Sequence, residues 1–285
     1  MNNKENTRGR TQLIIARVVV YAILIFLSFL CLFSFYMLII NATRSNAQLQ
    51  GGFAALPQGH FLENLRNAWT DASINIPRGM LNSFFIACCS AILTTYFSAL
   101  TAYGIHVYDF KLKKAAFLFI MAVMMIPPQV SAVGLIQLMF KLHLTNNYLP
   151  LILPSIAAPI VFFYMKQYLE SVLPMDMVEA ARIDGSGEFY TFNRIVLPIM
   201  KPTFISVAIL ETMWIWNDYL LPYLILDKSY RTIPIHMQYL NGSYGHTDTS
   251  AIMSLIVLSI VPIIIFYFAC QKYIIEGVVS GAVKG

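Results

Sequence analysis

Charge is what this sequence has least of. Only 12% of its 285 residues are Asp, Glu, Lys or Arg, about half of the ~25% usual in a soluble globular chain. With 58% hydrophobic residues and a mean hydropathy of +0.65, that scarcity excludes an ordinary soluble domain and marks a polytopic membrane protein. Chemistry-bearing motifs are also missing. There is no G-x-x-x-x-G-K-[ST] to cradle ATP, no H-E-x-x-H and no G-x-S-x-G. Gly185-x-Gly187 is too short for a dinucleotide fingerprint, and no strand precedes it. Cys31, Cys88, Cys89 and Cys270 lie inside apolar runs and form no C-x-x-C. They read as small apolar side chains, with no disulfide and no metal. His106, His143 and His236 are isolated and lack metal-ligand spacing. The chain therefore reads as no enzyme and as holding no cofactor. If ATP drives it, the ATPase is another protein. The net charge of +5 is no nucleic-acid footprint, because the basic residues cluster beside apolar spans.

What is present is a series of long apolar runs. Residues 1–12 form a polar tail, and 13–40 is apolar apart from Arg17. That run exceeds the 7–15 residues of a signal-peptide core, so it reads as an uncleaved first span. Residues 41–81 are polar and irregular, with Phe61, Leu65 and Trp69 at the spacing of a short surface helix. The membrane domain follows over 82–271. Its spans are placed at about 83–107, from 115 onward, 149–169, 203–226 and 250–270. Pro127-Pro128 must break or bend the third, and Pro262 kinks the sixth. Whether 132–144 completes the third helix or forms an outer segment is left open by periodicity. Residues 272–285 form a second tail. The fold class is thus all-α, a six-helix membrane bundle with both ends on one side.

Charge sets the orientation. With the N-terminus inside, 13 Lys and Arg fall on the cytoplasmic side and 6 outside, as the positive-inside rule requires. The outer six are Arg44, Arg66, Arg78, Lys141, Lys228 and Arg231. This places the polar island 174–198 in the cytoplasm.

That island is the centre of the sequence. Pro174 suits a helix start. No breaker follows until Gly185, which sits where a helix ends in a left-handed residue. Ala180 and Ala181 keep one side thin for a partner's backbone, and Glu179, Arg182 and Asp184 offer it charges. Phe189, Phe192 and Val196 then recur at helical spacing, as in a piece lying along a membrane interface. Pro198 and Pro202 mark the start of the next span.

In the order Glu179-Ala180-Ala181, Gly185, Leu197-Pro198, the chain resembles the permease subunits of binding-protein-dependent ABC importers, in the maltose-type branch that carries sugars. Trp216-Asn217-Asp218 and the tail Gln271-Lys272-Tyr273…Gly281-Ala282-Val283-Lys284-Gly285 match as well. The resemblance implies a type I importer permease fold. It also implies four kinds of partner: a second homologous permease, two ATP-binding cassette subunits that hold the ATP, an extracytoplasmic sugar-binding protein and membrane lipid. It assigns Glu179, Ala180, Ala181 and Gly185 to a coupling helix docked on the ATPase, and brings Lys284 near the ATPase interface. The plain alternative is a polar loop with an incidental helix.

Glu211 and Asp218 stand seven apart in the fifth span, with Trp214 between them and Asn217 beside them. A carboxylate at the bilayer centre costs about 2.5–3.5 kcal/mol on insertion scales, so this face must meet protein or water. Carboxylates, amides and a Trp face suit a sugar path; helix–helix bonding is the competing reading. Gln129, beside the proline pair, is another path candidate. In the outer loop, Tyr239, Asn241 and Tyr244 suit contact with sugar or a binding protein. The reading is a cell-membrane permease subunit for an oligosaccharide, with both termini cytoplasmic. Its alternatives are a non-sugar cargo such as glycerol phosphate, an ion-gradient-driven transporter and a membrane-embedded enzyme.

Overall fold

The structure is a computed structural model that describes residues 2–71, 74–227, 229–240 and 248–282. In chain order the helices are α1 (Asn2–Ala42), α2 (Asn46–Gln50), α3 (Phe61–Thr70), α4 (Ile76–Val107), α5 (Lys113–Met124), α6 (Pro128–Lys141), α7 (Leu149–Ser155) and α8 (Pro159–Val172). There follow α9 (Met175–Ile183), α10 (Glu188–Thr191), a π-helical turn (Phe192–Val196), α11 (Leu197–Ile199), α12 (Lys201–Trp216), α13 (Leu220–Ile225), α14 (Ile233–Leu240) and α15 (Thr249–Ala282). Among the described residues no strand occurs. Among the described residues four helical stretches are long and apolar enough to cross a membrane: Leu13–Ala42, Ile76–Val107, Leu149–Val172 and Thr249–Lys272. Counting each of two bent helix pairs as one span gives six.

Several boundaries differ from the sequence expectation. Helix α4 starts at Ile76, inside the stretch read as loop, because Asn75 caps it and Pro77 sits in its first turn. The fifth span is not one helix: it breaks after Trp216 and resumes at Leu220. The fourth breaks at 156–158, ahead of Pro159. The residues read as a C-terminal tail continue α15 to Ala282, while Lys284 lies outside the described residues. The proline pair does what its missing donors require, bending the third span by 96° between Met124 and Pro128.

One compact unit comprises Met1–Asp71 and Leu240–Leu258. Its long helix is almost bare, with 6% of the Leu13–Ala42 window buried. Its fixed point is a polar knot at the end of α1. Arg44, 5% exposed, donates to Asn41 Oδ1 at 3.3 Å, to Gly52 O at 2.8 Å and to Gln48 O. The orphan carbonyl of Ala42 accepts from Asn64 Nδ2 at 2.9 Å and Ser254 Oγ at 3.0 Å. Asp248 accepts from Asn46, Ser250 and Ala251. Burial opposes ionisation of this carboxyl, but those bonds hold it below its ordinary range.

The second unit comprises Ala72–Tyr239 and Ser259–Gly285. Helix α4 is its spine and packs chiefly on α8 and α12. The reason is a stripe of small buried residues at helical spacing: Ala87, Ala91, Thr94, Thr95, Ser98, Ala99 and Ala102. Lipid tails are as apolar as the helices, so close backbone approach replaces the hydrophobic effect as the adhesive. One core gathers Tyr103, Phe162, Met165, Leu169, Val178, Phe192, Val196 and Met200 under α9. A second joins Ile86, Met139, Leu151, Ile225 and Leu226.

Candidate functional site

Two regions of the second unit bear on function. The first is α9 and the turn after it. Val178 and Ala181 face the core, 0% and 6% exposed, and seat the helix. The opposite side presents Glu179, Ala180, Asp184 and Gly185 to solvent, with Ile183 at 86% exposure. The helix ends as its glycine requires. Gly185 takes φ +79°, its N–H bonds Arg182 O at 3.0 Å, and Ser186 N–H bonds Ala181 O at 2.9 Å. This is the Schellman pairing.

Two expectations about α9 change. Ala181 points into its own chain, three residues on from Val178 and on the same face, so it is no free docking residue. Arg182 is already engaged. Its Nε donates to Glu188 Oε1 at 2.7 Å, its guanidinium stands 5.5 Å from the Tyr108 ring, and Tyr103 Oη donates to Glu188 Oε2 at 3.0 Å. The bond to Glu188 pushes the Arg182 pKa above its ordinary value. Arg182 therefore ties the turn to α4 and α10.

The segment after it lies across the next span, bent by 81° between Ile199 and Lys201. Phe192 and Val196 are fully buried and Phe189 is exposed, so the helical spacing there has an inner and an outer side. Leu197 N–H reaches back to Phe192 O in a π turn. Pro198 lacks an N–H and would crowd the carbonyl four residues back, and the wider turn makes room for it.

The second region is a cavity of about 350 Å³. It is lined where three spans lose their helix: at Pro128, where α6 begins; at Pro154 and Ser155, where α7 ends, and Ala157 and Ala158 in the gap before α8; and at Asp218, Leu221 and Pro222, around the α12–α13 break. Glu211, Trp214, Ser83 and Thr232 complete the polar lining. Broken backbone is tolerated at membrane depth only where protein or a water-filled cavity covers it. Here neighbours take up the freed groups. Thr94 Oγ1 donates to Ser155 O at 2.7 Å, and Asn146 N–H bonds Ile225 O at 2.9 Å.

Glu211, Trp214 and Asp218 are thus brought together, though the two acids do not share a helix face as their spacing suggested: Asp218 sits in the break. Asn217 is not on the cavity. Its Nδ2 caps α12 through Met213 O at 2.8 Å. Gln129 does not line it either, whereas Pro128 does; one residue on a helix is about 100° of turn. Tyr239 is occupied by Arg231, which donates to its Oη at 2.6 Å and lies 3.9 Å from its ring. Asn241 and Tyr244 lie outside the described residues. Sequence reasoning missed Thr232, Ser83 and the 156–158 break. Pro154 and Pro159 flanking two alanines were the signal for the last.

Comparison with known proteins completes the picture. The chain is 33% identical to the arabinooligosaccharides transport system permease protein AraQ of Bacillus subtilis (strain 168), over 98% of this chain and 99% of that one. It is 31% identical to the probable starch degradation products transport system permease protein AmyC of Thermoanaerobacterium thermosulfurigenes, over 91% and 94%. In fold it matches a bacterial ABC transporter involved in the import of the acidic polysaccharide alginate, with a TM-score of 0.79 at 18% identity, covering 91% of this chain and 96% of that one. Residues 91–279 match the binding-protein-dependent transport system inner membrane component family. The chain belongs to that family: it is a multi-pass membrane transport component with the fold of an ABC importer permease, and no enzyme.

Proposed function

We propose that this chain is the permease subunit of an ATP-driven oligosaccharide importer. It forms half of the translocation path and is moved by a separate ATPase acting on α9. The observation that carries the reading is the convergence of three helix breaks on one cavity holding Glu211, Asp218 and Trp214. Broken helices at a shared cavity supply backbone polar groups and hinges together, which a solute path needs and a static bundle does not. Carboxylates accept bonds from sugar hydroxyls, and an indole face stacks on a sugar ring. The names of two relatives, permeases of transport systems for arabinooligosaccharides and for starch degradation products, support a saccharide cargo.

The coupling surface is the exposed side of α9: Glu179, Ala180, Ile183, Asp184 and Gly185. It is short, rigidly capped and seated on the first core, so force applied there reaches α4, α8 and α12. ATP is bound by two partner cassette subunits, whose closure shifts the bundle between two conformations. A second homologous permease completes the path, and an extracytoplasmic binding protein delivers the sugar. Both termini and α9 face the cytoplasm in this reading, following the excess of Lys and Arg on that side.

The test is a mild-detergent pull-down of the native protein, with and without Gly185→Asp, scored for a co-purifying P-loop ATPase and a second permease. Wild type brings down both, and the variant loses the ATPase or its transport-linked hydrolysis. Wild type that brings down no ATPase while the bundle stays folded sinks the reading.

A further inference from the structure

The cavity is electrostatically one-sided. Glu211 and Asp218 line it, and among the described residues no Lys, Arg or His does. A second observation points to a ligand. Thr232 is 5% exposed and lines the same cavity, yet its Oγ1 has no hydrogen-bond partner. A buried hydroxyl left unpaired is costly unless something arrives to bond it. Trp214 adds a broad apolar face, 77% exposed, at the cavity wall.

We propose that this cavity is a cargo-contacting site that selects by charge. It takes polyhydroxylated solutes that are neutral or carry an ammonium group, and rejects those bearing phosphate or carboxylate. The inference rests on the import reading for the word cargo, and on the lining residues for the selection. Sugar hydroxyls donate to the two carboxylates and to Thr232 Oγ1, which can also donate back. An anionic solute brings like charge beside two acids within a cavity of about 350 Å³, closer than a Debye length, where salt screens the repulsion little. A relative in fold imports an acidic polysaccharide, so the preference belongs to the side chains and not to the fold.

The experiment reads the cavity without needing transport. Cys31, Cys88, Cys89 and Cys270 are replaced by Ala, and Ala157→Cys on the cavity wall is labelled in the detergent-purified full chain. Cationic and anionic methanethiosulfonates are compared, with solvent-exposed Ala180→Cys as the reference. The cationic reagent is expected to be favoured about tenfold over the reference ratio. E211Q with D218N should return the ratio to the reference. Millimolar maltotriose or chitosan trimer should slow labelling about threefold, and trigalacturonate should not. Thr232→Val should weaken protection by maltotriose while leaving the charge ratio intact. Leu221→Cys, also on the wall, serves if the first reporter misfolds.

A ratio equal to the reference, a ratio untouched by the double variant, or equal protection by trigalacturonate each overturns the proposal. The import reading fails separately. An intact charge ratio and maltotriose protection, in a chain that recruits no ATPase, removes the motor and leaves the selective site.

Discussion

The α9 turn and the cavity are built on opposite plans. The turn's cap, ion pair and π turn all close within one stretch, Pro174 to Met200, and only its anchorage on Tyr103, Tyr108 and the first core comes from elsewhere. The cavity has no such stretch. Its wall comes from α4, α6, the end of α7 with the 156–158 break, α12, α13 and Thr232, which are far apart in sequence. In the proposed function the turn is a handle and the cavity a path, and a handle can be specified locally while a path cannot. A handle must hold its shape when pushed. A path must be able to change shape, and helix breaks provide the joints.

The sharpest way to break this comparison is to damage the handle alone. A Cβ at Gly185 meets nothing within 4 Å, so the only structural cost of Gly185→Asp is its φ of +79°, about 1–2 kcal/mol. The bundle should survive this and coupling should not. Transport-linked ATP hydrolysis in proteoliposomes is expected to fall at least about tenfold, as when an interface anchor is lost. Gly185→Asn, which tolerates the left-handed region as Asp does but adds no charge, should keep most of it. Equal loss in both would mean that the added charge is not what disrupts coupling.

The next effect falls on the path side. His236 is buried against α4, where Gly79 leaves room for its ring: a Cβ there would stand 2.4 Å from His236 Cδ2. Burial, with help from Arg231, lowers the His236 pKa to about 4 from 6.5. Its folded pKa lies below its unfolded one, so its neutral form is compatible with the fold above pH 6.5. Stability is lost as pH falls from 6.5 through about 4, because the unfolded chain takes the proton first. The shift corresponds to about 3 kcal/mol at most. Because His236 N–H bonds Thr232 O, the loss reaches the cavity wall. Melting in detergent should drop between pH 6.5 and 4 in wild type and much less in His236→Gln. Parallel curves would show that the ring titrates freely.

Gly79→Ala comes next, at about 1–3 kcal/mol of overpacking, or a few degrees in melting temperature. It should loosen α14 and leave the α9 turn intact, read as hydrogen exchange confined to the 229–240 segment.

The same contrast explains what the sequence could say. The α9 cap was legible because Pro174, Gly185 and the residues between obey local rules, and the φ at Gly185 followed from its place. The Pro127-Pro128 break was legible because a missing donor is a local fact. Asp218 falls in a break and not on the face of Glu211: spacing assumes an unbroken helix, and the signal against it is Pro222, which has no N–H for the Asp218 carbonyl four residues back. Arg182 and Ala181 were given to a partner because a sequence does not show that Glu188 or the core has claimed them. Thr232 was invisible, since an unpaired hydroxyl is a property of the packed wall.

The smallest predicted effect separates the turn's shape from its contact surface. Arg182 and Glu188 are each more than a third exposed, at 37% and 41%, so water screens their attraction. Arg182→Ala should leave global melting unchanged. It should still free the turn, because the guanidinium also covers the Tyr108 ring and Glu188 holds Tyr103. Hydrogen exchange at 184–188 should quicken, while exchange around the cavity stays as in wild type. Coupling should then weaken less than in Gly185→Asp, since Glu179, Ala180 and Ile183 still face out. If Arg182→Ala instead abolished ATPase recruitment with the turn still protected, Arg182 would be a contact residue that trades Glu188 for the motor. The local plan of the handle would then extend into its partner.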